Sequence, residues 1–360
     1  MEDEITLSGE ETQAESLVPE YKRTCFRLGF FFAVMFLLRA VGTVAIQLIY
    51  DKVQIADPTV LFILRFVVST MFLQFAPCFI GAAMLGFFGK GRLKGFYAKP
   101  KHFAKAVGNF PAIYGMGMFA NILTIVVSYL ITSNTDLGES FNTANAALTP
   151  PNLPSALFLL FVLVVVAPIT EEFVFRGLVF SSLKPYGNGA AILVSGISFG
   201  IFHGNFQQLF YTAILGICLA YITYATGSIL SSTVVHAMVN GVSGILLLFM
   251  STEAVQDYAL SGMKYDDIPA SDGIVVTLFA IFVITALIIA GVGVVLAVIK
   301  LRKIKRYKIA PVWSEINGGR KFLIFISRVP VIIALVLAAD AFLFPAFIHC
   351  AKKLNARHNL

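Results

Sequence analysis

The chain of 360 residues is 58% hydrophobic and only 13% charged, with a mean hydropathy of +0.83 and a net charge of +7. Soluble domains carry roughly 45–50% apolar and about 25% charged residues, so this chain has too little polar side chain to coat a water-facing surface. A soluble globular enzyme, a disordered protein and a nucleic-acid binder are all excluded, and the basic residues, set between hydrophobic blocks, read as membrane-surface contacts.

Residues 1–20 carry seven acids and no Lys or Arg, which predicts an acidic, disordered, solvated tail over residues 1–23. It is not a signal peptide: it has no basic start, and the first apolar block is too long. A helix needs about 20 apolar residues to cross the ~30 Å hydrocarbon core. Nine stretches are candidates: 28–50, 58–88, 112–131, 155–183, 190–203, 206–225, 229–250, 274–299 and 322–348. The fifth is short. The fourth is long and charged near its end, so part of it is expected to leave the bilayer. The last holds Arg328, Asp340 and Pro345 and reads either as a span or as a re-entrant or interfacial hairpin. No β-barrel alternation is visible, and each span must satisfy its own backbone groups in lipid. The expected fold is an all-α polytopic membrane protein with eight to nine transmembrane helices.

The loops set the orientation. Loop 89–108 holds Lys90, Arg92, Lys94, Lys99, Lys101 and Lys105, and loop 300–321 holds eight basic residues from Lys300 to Lys321. Both are expected in the cytoplasm by the positive-inside rule. Loop 132–154 has Asp136 and Glu139 without a basic residue. Loop 251–273 has five acids against Lys264. Both are expected outside, which alternates correctly if the N-terminus is cytoplasmic. Nine spans put Lys352, Lys353 and Arg357 outside, against the rule. The basic loops divide the chain into the tail (1–23), an N-terminal helix pair with a basic loop (24–110), a core of five helices (111–250), and C-terminal helices with a basic loop (251–360). Cys25, Cys78, Cys218 and Cys350 are scattered and read as apolar packing residues.

Ionisable residues inside a span are costly and mark function. The fourth segment contains Pro168-Ile-Thr-Glu171-Glu172-Phe-Val-Phe-Arg176. Glu172 and Arg176 stand at i and i+4 and share a helix face, as an ion pair requires. Glu171 lies ~100° around the helix and points elsewhere. Pro168 removes a backbone hydrogen bond and favours a kink. The fifth segment places Phe199 and His203 at i and i+4, and the seventh does the same with His236 and Asn240, a stripe that Ser243 extends. Counted from the tight turn at Tyr186–Gly187, Glu171 and His203 each lie about 16 residues away, ~24 Å along a helix, which puts them at one level in a hairpin. His236 and Asn240 follow the Gly227–Ser228 turn by ~12–19 Å, a comparable depth. Each motif alone also reads as structure: a histidine as helix–helix glue, a Glu–Arg pair as a brace. Arg39 and Arg65 read as snorkelling or carboxylate-paired residues, with substrate-carboxylate binding the lesser reading.

These three segments resemble the type II CAAX prenyl endopeptidase family, also called the CPBP intramembrane protease family. Its motifs EExxxR, FxxxH and HxxxN/D stand here, in order, as Glu171 to Arg176, Phe199 to His203 and His236 to Asn240. The resemblance covers residues 154–250. It implies an eight-helix core with a catalytic cavity inside the membrane that hydrolyses peptide bonds. Eukaryotic members remove the last three residues of prenylated CaaX proteins. Prokaryotic members have been linked to peptide maturation, bacteriocin immunity and cell-surface functions. Nothing in the chain looks like an added eukaryotic domain, which leans the reading to a prokaryotic protein of the plasma membrane.

On that reading Glu171 with His203 holds and deprotonates a water, while His236 and Asn240 donate hydrogen bonds to the oxyanion, and Glu172 and Arg176 orient the site. The partners are a membrane-associated peptide or protein substrate, lipidated in the family's eukaryotic members, and the bilayer; no nucleic acid is expected. Two histidines and a glutamate, His203, His236 and Glu171, also suit zinc with one open position. The HExxH motif is absent, and the same residues serve equally in a metal-free glutamate protease, so both readings stay open. The alternative from another class is a non-enzymatic transporter, immunity protein or scaffold in which the Glu and His set is a proton relay or helix glue. A transporter would more often show inverted repeats, and none is visible.

Overall fold

The computed structural model describes residues 2–50, 55–84, 98–132, 150–204, 206–260, 269–304 and 316–338. Among them the chain is helical throughout, with no strand. Helix α1 (Glu2–Tyr50) is followed by α2 (Pro58–Ser69), which runs through a π-helical stretch, Thr70–Phe75, into α3 (Ala76–Met84). A single turn α4 (Phe103–Val107) leads into α5 (Phe110–Thr132). The long helix α6 (Leu153–Tyr186) precedes α7 (Asn188–Phe202), α8 (Phe206–Thr226) and α9 (Ile229–Met250). The short α10 (Glu253–Leu260) and the long α11 (Ala270–Ile304) come next, then α12 (Gly318–Ile326) and α13 (Val329–Ala338).

Among the described residues six helices are long and apolar enough to cross a membrane, or seven if the bent pair α12–α13 is one span, against the eight to nine expected of the whole chain. The difference lies where the sequence was least regular. Helix α7 is short, as expected of its segment, and α2 is likewise a shorter apolar helix, followed by π geometry after Ser69. The last segment is bent by 76° between α12 and α13, as a broken span or a re-entrant loop would be; Asp340 and Pro345 lie outside the described residues. The acidic start also differs from the expected coil. Helix α1 runs back to Glu2, where glutamates are good helix formers and acids complement the positive end of the helix dipole.

The exterior is apolar. Helix α11 turns Ile274, Ile281, Leu287, Ile288 and Val292 outward, and α13 does the same with Val329 and Val336. Such continuous exposed patches are untenable in water and suit lipid. One buried cluster runs from Tyr21 to Ala338, so the first and last described helices share a core with the central block. Helices α7 and α8 are among its closest pairs. Gly196 and Gly200, four residues apart, let the backbones touch: a Cβ on Gly196 would stand 2.5 Å from the Ile217 amide nitrogen. Close approach through small residues is how helices associate where lipid gives no hydrophobic drive.

Hydrogen bonds show which loops share an end. Lys101 donates its backbone N–H to the Thr226 carbonyl at 2.9 Å, and Lys300 Nζ donates to Asn109. Helices α7 and α8 run antiparallel, so the 184–187 turn lies at that same end. There Tyr186 meets Thr24 at 3.1 Å, and Tyr21 donates to the Lys321 carbonyl at 2.8 Å. At the opposite end Asn152 Nδ2 donates to Thr59 Oγ1 at 2.6 Å, joining the starts of α2 and α6. The described parts of both basic loops are thus at one end. Asp136, Glu139, Lys264, Asp266, Asp267 and the chain beyond Ala338 lie outside the described residues. Cysteines introduced singly at Lys94 and Asp267 are expected to label from opposite sides of the membrane; labelling from one side would overturn the predicted topology.

Candidate active site

Helix α6 changes its winding around the Glu-Glu pair. Residues Leu153–Phe161 are α-helical, Val162–Val166 π-helical, Ala167–Glu172 α-helical and Phe173–Phe180 π-helical. The first π stretch answers Pro168. The Ala167 N–H bonds to the Val162 carbonyl, five residues back. The next carbonyl in that pattern, on Leu163, would need an N–H from residue 168, and proline has none. Asn240 Nδ2 reaches across from α9 and donates to that Leu163 carbonyl at 3.0 Å. The proline absorbed by this π stretch leaves an acceptor that another helix satisfies.

Glu171 and Glu172 sit at the junction with the second π stretch. Both are buried, as are Arg176 and His236. Arg176 Nη1 lies 2.9 Å from Glu172 Oε1, the i, i+4 pair read from the sequence. Its other arm, Nη2, donates to the Gly216 carbonyl of α8 at 2.8 Å. His236 joins the two glutamates. Its Nδ1 is 3.0 Å from Glu172 Oε1, and its Nε2 is 3.7 Å from Glu171 Oε2. A carboxylate only accepts, so Nδ1 carries a proton and Glu172 holds the ring by it. Glu172 Oε1 therefore faces both the Arg176 guanidinium and the His236 ring N–H, and His236 is aimed at Glu171.

His203, the C-terminal cap of α7, is half-buried, and its Nδ1 lies 2.8 Å from the Phe199 carbonyl. A carbonyl only accepts, so Nδ1 bears the proton and Nε2 is left as an acceptor. Phe199 is the common wall of the site. Its ring meets those of His203 at 4.8 Å and His236 at 5.5 Å, both edge-on, and the Arg176 guanidinium lies 4.8 Å from its centroid. Cation–ring attraction of this kind strengthens away from water. The hairpin register matches the expected depths. Phe175 packs on Phe199 at 5.1 Å and on Phe202 at 5.3 Å, and Ser195 Oγ donates to the Phe175 carbonyl at 2.8 Å.

All three motifs thus meet around Phe199. Glu171, Glu172, Arg176 and His236 are linked directly. His203 joins through the Phe199 ring, and Asn240 sits one turn beyond His236, tied to Leu163. Among the described residues no three His, Cys, Asp or Glu side chains gather closely enough to hold a metal ion. Nδ1 of both histidines is committed, to Phe199 and to Glu172, so each ring would offer Nε2 to a water or an ion.

Two groups in the site are backbone carbonyls, which motif spacing cannot show. Leu163 had a signal in Pro168; Gly216 had only its own lack of a side chain. A Cβ there would lie 2.8 Å from the Gly196 carbonyl oxygen and 3.0 Å from the Phe199 ring. Gly216→Ala is expected to cost about 1–3 kcal/mol, the usual range for overpacking. It should lower the thermal midpoint in detergent; an unchanged midpoint would contradict the close α7–α8 contact.

Searches among curated proteins and among solved structures returned no match. In the family comparison residues 153–242, the stretch that holds all six of these side chains, match the model of the Rce1-like type II CAAX prenyl endopeptidases.

Proposed function

We propose that this chain is an intramembrane endopeptidase that cleaves membrane-associated peptides or proteins by a glutamate- and histidine-activated water. The carrying observation is His236 held between two buried glutamates, one of them anchored by Arg176, within the stretch that matches a protease family. Glu171 is the general base. As water attacks the scissile carbonyl carbon, its proton passes to Glu171 and then to the departing amine nitrogen as the C–N bond breaks. The products are a carboxylate and an amine.

The 3.7 Å between His236 Nε2 and Glu171 Oε2 lets both atoms accept from the two protons of one water. Asn240 spends one amide N–H on Leu163 and has a second to offer an oxyanion. His203, with Nδ1–H committed, presents Nε2 as a proton acceptor and assists Glu171. The substrate class is a C-terminal segment delivered from the bilayer, lipidated as the family's printed name implies.

Purified protein in detergent is expected to cleave a fluorogenic C-terminal peptide carrying a prenyl group faster than the same peptide without it. No cleavage of either, with cation or solute flux in vesicles instead, would favour the transporter reading. Activity is expected to persist after dialysis against EDTA and 1,10-phenanthroline. A loss that added zinc restores would establish a metal-dependent mechanism.

A further inference from the structure

Arg39 stands deep in the first membrane-spanning helix, outside the stretch that matches the family model, yet it reaches the active-site histidine. A cation in a span needs a specific partner, because hydrocarbon solvates it so poorly. None of the ion pairs found among the described residues involves Arg39. Its guanidinium goes instead to the end of α7. Nη1 donates to the Phe202 carbonyl and Nη2 to the His203 carbonyl at 3.3 Å. The planar fork suits two successive carbonyls as an ammonium does not.

Those carbonyls lack helical partners because α7 stops there, and the negative end of its dipole favours a cation. The grip extends to side chains. Arg39 Cζ lies 5.5 Å from the Phe202 centroid, and Phe202 packs on Phe175 beside Arg176. Gly204 makes the approach possible. It holds φ +67°, and a Cβ there would stand 3.0 Å from Arg39 Nη2.

We propose that Arg39 is a positioning residue of the active site. By clamping the Phe202 and His203 carbonyls it fixes where the His203 ring stands relative to Glu171 and His236. The proposal rests on the protease reading for its kinetic consequence, and on geometry alone for its effect on the ring. It assigns α1 a part in the chemistry that the three motifs do not contain.

The experiment uses the full chain in detergent, with Arg39→Leu and Arg39→Lys. Misplacing a catalytic group by about 1 Å costs on the order of 100-fold, so Arg39→Leu is expected to lower kcat by about 10–100-fold with KM little changed. Arg39→Lys, able to bond one carbonyl, should fall between it and the parent and serves if the leucine variant does not fold. Independently of activity, NMR of ring-labelled histidine, assigned through His203→Gln, should show the His203 signals shifted or broadened and the His236 signals unmoved. Unchanged His203 signals would overturn the proposal even if the protein is a protease. Shifted signals in a protein that cleaves nothing would uphold the clamp and refute the protease reading. A rise in KM alone would make Arg39 a substrate-binding residue instead.

Discussion

Glu171→Ala is expected to abolish peptide hydrolysis while the protein stays folded. Removing a general base typically costs 10²–10⁴-fold, and here the loss should lie at the upper end, about 10³–10⁴-fold, because no other carboxylate is placed to replace it. Among the described residues the adjoining carboxylate is Glu172, and its Oε1 is already engaged by Arg176 and His236. Stability should change little. The His236 ring keeps its anchor on Glu172 when the Glu171 carboxylate is removed. A thermal midpoint within about 1 °C of the parent is expected, about 1 kcal/mol or less for a chain of this size. The measurement pairs turnover of a reporter peptide with the midpoint in the same detergent. Near-full turnover would remove Glu171 from the role of base. A collapsed midpoint would make it a structural residue.

Glu172→Ala acts by a different route. Glu172 is 0% exposed and Arg176 1% exposed. Deleting the carboxylate leaves a guanidinium and a histidine N–H facing apolar walls. Breaking a buried ion pair from one side costs about 3–5 kcal/mol, because the surviving charge keeps its desolvation penalty and loses its compensation. The variant is expected to unfold at a much lower temperature, and any surviving activity should be low because His236 is no longer held toward Glu171. Glu172→Gln separates the two effects. Its amide oxygen can still accept from His236 Nδ1, so it should recover orientation better than stability. If Glu172→Ala is as stable as the parent and inactive, the roles of the two glutamates are reversed. Arg176→Lys is a companion test: an ammonium replaces the fork that spans Glu172 and the Gly216 carbonyl, so part of the loss should appear there too.

How much of this was legible from residues alone follows from the range of each interaction. Composition forced a membrane protein, because apolar side chains at 58% cannot be hidden from water by 13% of charged ones. Helical periodicity forced the Glu172–Arg176 pair, because residues four apart share a helix face whatever the surroundings. The equal distances of Glu171 and His203 from the Tyr186–Gly187 turn set the hairpin register, and Phe175 on Phe199 agrees with it. The span count was less legible. Hydropathy sums side chains and does not register backbone direction, so the 76° break between α12 and α13 had no term in it. Pro168 was visible, but its consequence was not: the residue that completes the Leu163 carbonyl is 77 positions away. The same holds for Arg176 on the Gly216 carbonyl and for Arg39 on the carbonyls of Phe202 and His203. A backbone carbonyl is identical at every residue, so sequence cannot say which one a distant side chain will find. Only the packing of α1, α6, α8 and α9 around α7 decides it, by bringing a donor up to one particular carbonyl.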